Sequence, residues 1–258
     1  MTTIVPAKRR TAWYGWKPDL PDHRDLTLTL APAALRAIPQ SVDLSDQFPA
    51  PYDQGQLGSC TGNGIAGVLE YEAIRQGEPP VTPSRLFIYY GEREIEGTVD
   101  QDSGAQIRDG IKVVANLGAP PETDWPYDVS QFAVKPPARA YTDGLQHRAL
   151  VYRRAVFGRF RATLAAGYPI VFGISVFDSF ETQQVADTGV VPLPTPLDQL
   201  IGGHCIVMVG YDNATRLLKF RNSWGSGWGD GGYGYLPYEY VPPSKGLASD
   251  FWTVRRVS

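Results

Sequence analysis

The hydrophobic period changes once along this chain, and that change decides what it can fold into. Between residues 60 and 118 the apolar positions repeat at helical spacing. Ile65, Val68, Leu69 and Ala73 stand at i, i+3, i+4 and i+8, which is one face of a 3.6-residue repeat. The spacing predicts a helix over Cys60 to Gln76, closed by Gly77. A second helix is expected from Thr82-Pro83, where a cap residue precedes proline at the first helical position; it carries Leu86, Phe87 and Tyr90. A third is expected from Ser103, whose spacing to Gln106 is that of a capping box. Its apolar face is Ile107, Ile111 and Val114, and Gly118 ends it. After residue 170 the period falls to two. Ile170 to Phe177, Cys205 to Tyr211, Leu217 to Asn222 and Tyr233 to Tyr240 read as strands, with Asp212-Asn213-Ala214-Thr215 as a hairpin turn. Helices first and antiparallel strands afterwards point to the α+β class, two lobes with a cleft between them.

The 258 residues suffice for one large domain or two small ones. With 27 glycines and 22 prolines, about a fifth of the chain against roughly an eighth in average usage, a helical bundle is excluded. The formal net charge of −3 argues against nucleic acid as a partner, because phosphate contacts need a basic surface. The longest apolar stretch, Tyr168 to Phe177, is about half a membrane span, so no membrane partner is expected. Basic residues near the N-terminus are not followed by an apolar core, so no secretory signal is read. The expected location is the cytoplasm, or outside the cell by a route that needs no such signal. Two cysteines, Cys60 and Cys205, exclude a disulfide scaffold. No Cys/His cluster has zinc spacing, and no cofactor or metal is expected. Residues 1–40 differ from the rest: Trp13 to Asp22 interleaves aromatic residues with proline and aspartate, which favours extended or polyproline geometry.

Four residues stand out chemically. Cys60 begins a helix, where the partial positive charge of the helix N-terminus favours a thiolate. Gly58, Ser59, Thr61, Gly62 and Gly64 around it are small and let backbone or substrate approach closely. A buried structural cysteine is the competing reading of Cys60 alone. His204 opens a strand after Gly202-Gly203, Asn222 ends another, and Gln54 precedes Cys60 by one short loop. Cys205 points to the opposite face of its strand from His204 and reads as an inert core thiol. His23 and His147 have no motif around them and read as surface or packing residues. Gly227 to Gly232 fits G-x-G-x-x-G formally, but no helix follows, so a dinucleotide site is rejected. Asp100-x-Asp102 lacks the later ligands of a calcium loop and reads as a turn.

On these residues the chain resembles the papain-like (family C1) cysteine peptidases, in which His and Asn follow the nucleophile by roughly 130–150 residues. It resembles most their compact prokaryotic members without disulfides. Three motifs carry the resemblance: the Gln54-to-Cys60 loop, the strand opening at His204, and Asn222-Ser223-Trp224-Gly225-Ser226-Gly227-Trp228-Gly229. It covers roughly residues 41–240 and implies an α+β, papain-like two-lobe fold. The left lobe would be helical, the right lobe an antiparallel β-barrel-like one, with the active-site cleft between them. It implies that Cys60 is the nucleophile, His204 its proton partner and Asn222 the residue that holds the imidazole. Gln54 would form the oxyanion hole with the Cys60 N–H, and Trp224 would shield the His–Asn bond. Ser103 and Gly104 match the segment that pairs with substrate backbone, and Gly203 lines the pocket before His204. The chain departs from the family at Leu57, where a bridging cysteine is usual, at Thr61, where tryptophan is usual, and at Gly203, often Asp or Asn. The activity implied is that of a cysteine endopeptidase acting through an S-acyl intermediate on a peptide or protein substrate, as a monomer. The same triad would serve an amidase, deamidase or acyl transferase with a dedicated protein substrate, and a non-catalytic peptide-binding cleft is a third reading. Residues 1–40 read either as a surface arm or as a short pro-segment, with residues near 13–25 covering or flanking the cleft. The catalytic domain is then 41–258, its helical lobe about 55–150 and its β lobe about 151–240.

Overall fold

The computed structural model describes residues 14–36 and 38–258; Trp13, part of the expected covering segment, lies outside them. In chain order a two-residue strand β1 (Trp16–Lys17) precedes a short helix α1 (Pro32–Arg36) and strand β2 (Ser41–Asp43). The helical lobe follows: α2 (Cys60–Arg75), α3 (Arg85–Glu96), strand β3 (Ala105–Gln106), α4 (Ile107–Asn116) and α5 (Ala138–Gly144). The second lobe holds β4 (Ala149–Arg154), α6 (Phe160–Ala165), β5 (Ile170–Phe177), α7 (Gln183–Thr188), β6 (Leu200–Asp212), β7 (Leu217–Arg221), β8 (Tyr233–Pro237) and β9 (Ala248–Val257). Its strands run β4-β9-β5-β6-β7-β8, all antiparallel, with β2 also pairing along β6. β4 and β8 end this path without pairing each other, meeting beyond it isolated bridges (Thr27 on Arg154, Val190 on Tyr235), so the right lobe is an open sheet and not the closed barrel that "barrel-like" would suggest.

The core explains where the site sits. Every residue from Cys60 to Glu72 is buried, because α2 packs against α3 and α4 on one side and against β6 and β9 on the other. A helix buried all round has no wet face, and its first residue therefore opens into the seam between the lobes.

Two helix starts differ from expectation. The second helix begins at Arg85, not at Pro83: Pro83 is extended and bridges Pro121, and Ser84 is the cap, its Oγ accepting the Phe87 N–H at 3.2 Å. The third begins at Ile107 with no side-chain cap. The Ser103–Gln106 capping box does not form, because Gly104 turns left-handed at φ +67° and Ala105–Gln106 extend to pair, in parallel, with Trp16–Lys17. Strands β4 and β9 were not anticipated. In β9 an acid, Asp250, takes a buried position of the alternation, a non-glycine residue at φ +58° where the register with β5 shifts.

Candidate active site

Cys60, His204, Asn222 and Gln54 come from α2, β6, the end of β7 and the loop before α2, and all four are buried at the seam. Asn222 Oδ1 lies 2.8 Å from His204 Nε2 and also accepts the Ser223 N–H at 2.8 Å. His204 Nδ1 is buried and has no hydrogen-bond partner among the described residues. Cys60 Sγ accepts the N–H of Cys205, the residue next to His204, at 3.3 Å. The Trp224 ring stacks on the imidazole at 4.9 Å and 28°. Gln54 is held from both ends of its amide: Nε2 donates to Leu57 O at 2.8 Å and Oε1 accepts from Ser223 Oγ at 2.5 Å. The Cys205 thiol faces the core beside Gly64, as the strand alternation requires.

Residues 14–16 lie across this constellation. The Gly15 N–H points at Cys60 Sγ, and Gly15 O accepts the Ala105 N–H at 2.6 Å. A Cβ at Gly15 would stand 1.6 Å from Gly58 O, so only glycine can pass there. The Tyr14 ring meets His204 edge-on at 5.9 Å, and its hydroxyl donates to Glu181. Trp16 fills a pocket floored by Gly173 and Gly203, with its indole N–H on Asp250 Oδ2 at 3.2 Å. Ser103 Oγ accepts from Lys17 Nζ of the same segment at 3.2 Å. Beyond Trp224 a separate groove, lined by Asp53, Phe180, Glu181, Asp187 and Trp228, stays open.

Burial sets the protonation of the pair. Burial pushes the Cys60 thiol up to about 12, although the N–H groups of Cys205, Gly15 and Thr61 pull the other way. Burial likewise pushes His204 down to about 4, against the hydrogen bond to Asn222. Cys60 and His204 are therefore a neutral thiol and a neutral imidazole in this structure, not the thiolate that the helix N-terminus alone would favour.

Sequence reasoning missed three contributors. Ser223 sits inside the Asn222-to-Gly229 motif, and its hydroxyl and N–H orient Gln54 and Asn222 together. Asp102, read as a turn residue, accepts the Gly58 N–H at 3.0 Å and the Tyr89 hydroxyl at 2.5 Å. It ties the loop before Cys60 to the loop before Gly104, while Leu57, in the bridging-cysteine position, packs with Leu86, Tyr89 and Ala105. Asp250 holds Trp16, and its only sequence signal is a lone acid in an apolar run.

The papain family cysteine protease profile matches residues 38–241. The chain belongs to the papain family of cysteine proteases. It is similar to xylellain, a cysteine protease of Xylella fastidiosa, whose crystal structure superposes with a TM-score of 0.89 at 41% identity over 97% of this chain and 98% of that one. An uncharacterized peptidase C1-like protein of Acanthamoeba polyphaga mimivirus is 37% identical over 95% of this chain and 87% of its own length. A Carica candamarcensis cysteine protease solved in complex with E-64 shares the fold, with a TM-score of 0.64 at 22% identity over 85% of this chain and 100% of that one.

Proposed function

We propose that this papain family protease is an endopeptidase working through Cys60, His204 and Asn222, held inactive by its own N-terminal segment. One observation carries the reading: His204 Nδ1 is buried and, among the described residues, unpartnered while Nε2 is fixed on Asn222, beside a thiol at a helix start. A base with one nitrogen oriented and the other idle beside a nucleophile is the triad arrangement. Nδ1 takes the thiol proton, and Sγ attacks the scissile carbonyl. The oxyanion is met by the Cys60 N–H and the Gln54 amide, and losing one such donor typically costs on the order of 10²–10³ in rate. The imidazolium then returns the proton to the departing amine, leaving an S-acyl enzyme that water hydrolyses with His204 again as base.

On this reading residues 1–40 are a short pro-segment and residues 41–258 the catalytic domain, with protein or peptide as substrate. The contact of Gly15 with Cys60 and the backbone pairing to Ala105 support the cover. A chain beginning at Ser41 should cut end-blocked peptides at internal bonds faster than the full chain, and the Cys60→Ala form should cut neither. A full chain more active than the shortened one would remove the inhibitory role. Cleavage that survives Cys60→Ala would remove the nucleophile.

A further inference from the structure

Asp19, three residues beyond Trp16, enters a carboxylate receptor that belongs wholly to the body of the molecule. Its Oδ1 accepts the Arg108 backbone N–H at 3.0 Å, in the first turn of α4. Its Oδ2 accepts the Trp252 indole N–H at 3.0 Å and Arg154 Nη1 at 3.2 Å, with Arg108 Nη2 at 3.9 Å. The Asp19 side chain is fully buried there. Among the described residues, the Arg108 guanidinium finds its partners only on the N-terminal segment: Asp25, Asp19 and the Leu20 carbonyl. Among the described residues Arg154 forms ion pairs with Asp19 and Asp25 and, from the body, with Asp250 at 3.4 Å, its guanidinium also lying over the Trp252 ring at 4.9 Å.

Taking the segment away leaves two guanidinium groups against one body carboxylate, together with an indole N–H and a backbone N–H converging on one empty point. The geometry of the vacated site is that of a carboxylate acceptor. We infer that this receptor is a specificity subsite that binds an acidic side chain of the peptide substrate, three residues from the side chain seated in the Trp16 pocket. The inference rests on the reading that the segment leaves the cleft before substrate enters. Trp16 and Asp19 together are the template: a large flat side chain over Gly173 and Gly203, then a carboxylate on Arg108, Trp252 and Arg154.

The test uses the full chain with Trp16→Ala, Asp19→Ala and Asp25→Ala combined, which removes the occupants. Alkylation of Cys60, read by intact mass, reports whether the segment has left. On the same protein, kcat/KM is compared for end-blocked fluorogenic peptides with a tryptophan and, three residues to either side of it, Asp or Asn. In one of the two directions Asp should exceed Asn by about tenfold or more, the range of hydrogen bonds to a charged group. Adding Arg154→Gln should collapse that ratio towards one, and so should Trp252→Phe; Arg154 is the more exposed of the two, so the first variant stands if the second does not fold. A labelled protein that treats Asp and Asn alike, or prefers Asp equally in both added variants, overturns the subsite and leaves the cover intact. Failure of Cys60 to label at all overturns the reading that these three side chains hold the segment over a reactive thiol, and the subsite with it.

Discussion

Ser223 is the residue on which the site's precision turns. Its hydroxyl holds Gln54 Oε1 and its N–H holds Asn222 Oδ1, so one residue aligns both amides, which on the proposed reading serve as oxyanion donor and imidazole clamp. In the chain beginning at Ser41, Ser223→Ala should lower kcat about tenfold with KM little changed, since it frees the amide without removing it. Gln54→Ala should cost on the order of 10²–10³ in kcat. Equal losses from the two, or a loss confined to KM, would mean that Ser223 does not act through Gln54. Asp250 gives a second prediction. Burial and then the neighbouring Asp19 carboxylate raise it to about 6. An acid raised in the folded state holds more protons folded than unfolded. Its contribution is therefore complete below the ordinary carboxylate range near 4 and is lost as pH rises through about 6. The melting temperature of the full chain should fall by on the order of a few degrees more than that of Asp250→Asn between pH 4.5 and 7. Asparagine tolerates the φ of +58° and keeps an oxygen for Trp16. Parallel pH profiles for the two proteins would contradict this account.

At the scale of elements, the glycine floor of β5 and β6 is what admits Trp16. A Cβ at Gly173 would come within 1.9 Å of the indole. Gly173→Ala should therefore push Trp16 out and speed alkylation of Cys60 in the full chain, while slowing cleavage of substrates with a bulky side chain at that pocket. Alkylation that stays as slow as in the unaltered chain would show that the segment holds without Trp16. What the sequence makes legible here follows its physics. α2 and β5 start where the pattern puts them, while β6 begins at Leu200, five residues before the Cys205 that the pattern gives it. Cys60 stands at the start of α2 and Asn222 directly after β7, whereas His204 lies inside β6, paired with Ile174 and not at the strand's start as expected, and Gln54 lies in the loop before α2. The start of α4 is illegible because Ala105–Gln106 take the conformation that a distant strand imposes. β9 is hidden by Asp250, and the receptor for Asp19 by its assembly from α4, β4 and β9, none near another in sequence.

Over the whole molecule, the N-terminal segment spans the seam. Lys17 pairs with Glu96 and Asp19 with Arg108 in the helical lobe, while Trp16 meets Asp250 and Tyr14 meets His204 in the other. On the proposed reading, its departure lets water reach Cys60 and His204, and the thiol proton moves to the imidazole. The pair holds the same number of protons before and after, so this step adds no pH dependence of its own between the two states. The account therefore stands or falls on access to Cys60. Intact mass after treatment with an epoxysuccinyl inhibitor measures it most directly, on the full chain, the chain beginning at Ser41 and its Cys60→Ala form. One adduct on the shortened chain, little on the full chain and none on the variant is the predicted result. Equal labelling of long and short chains would contradict the cover, and no labelling of either folded form would contradict the nucleophile.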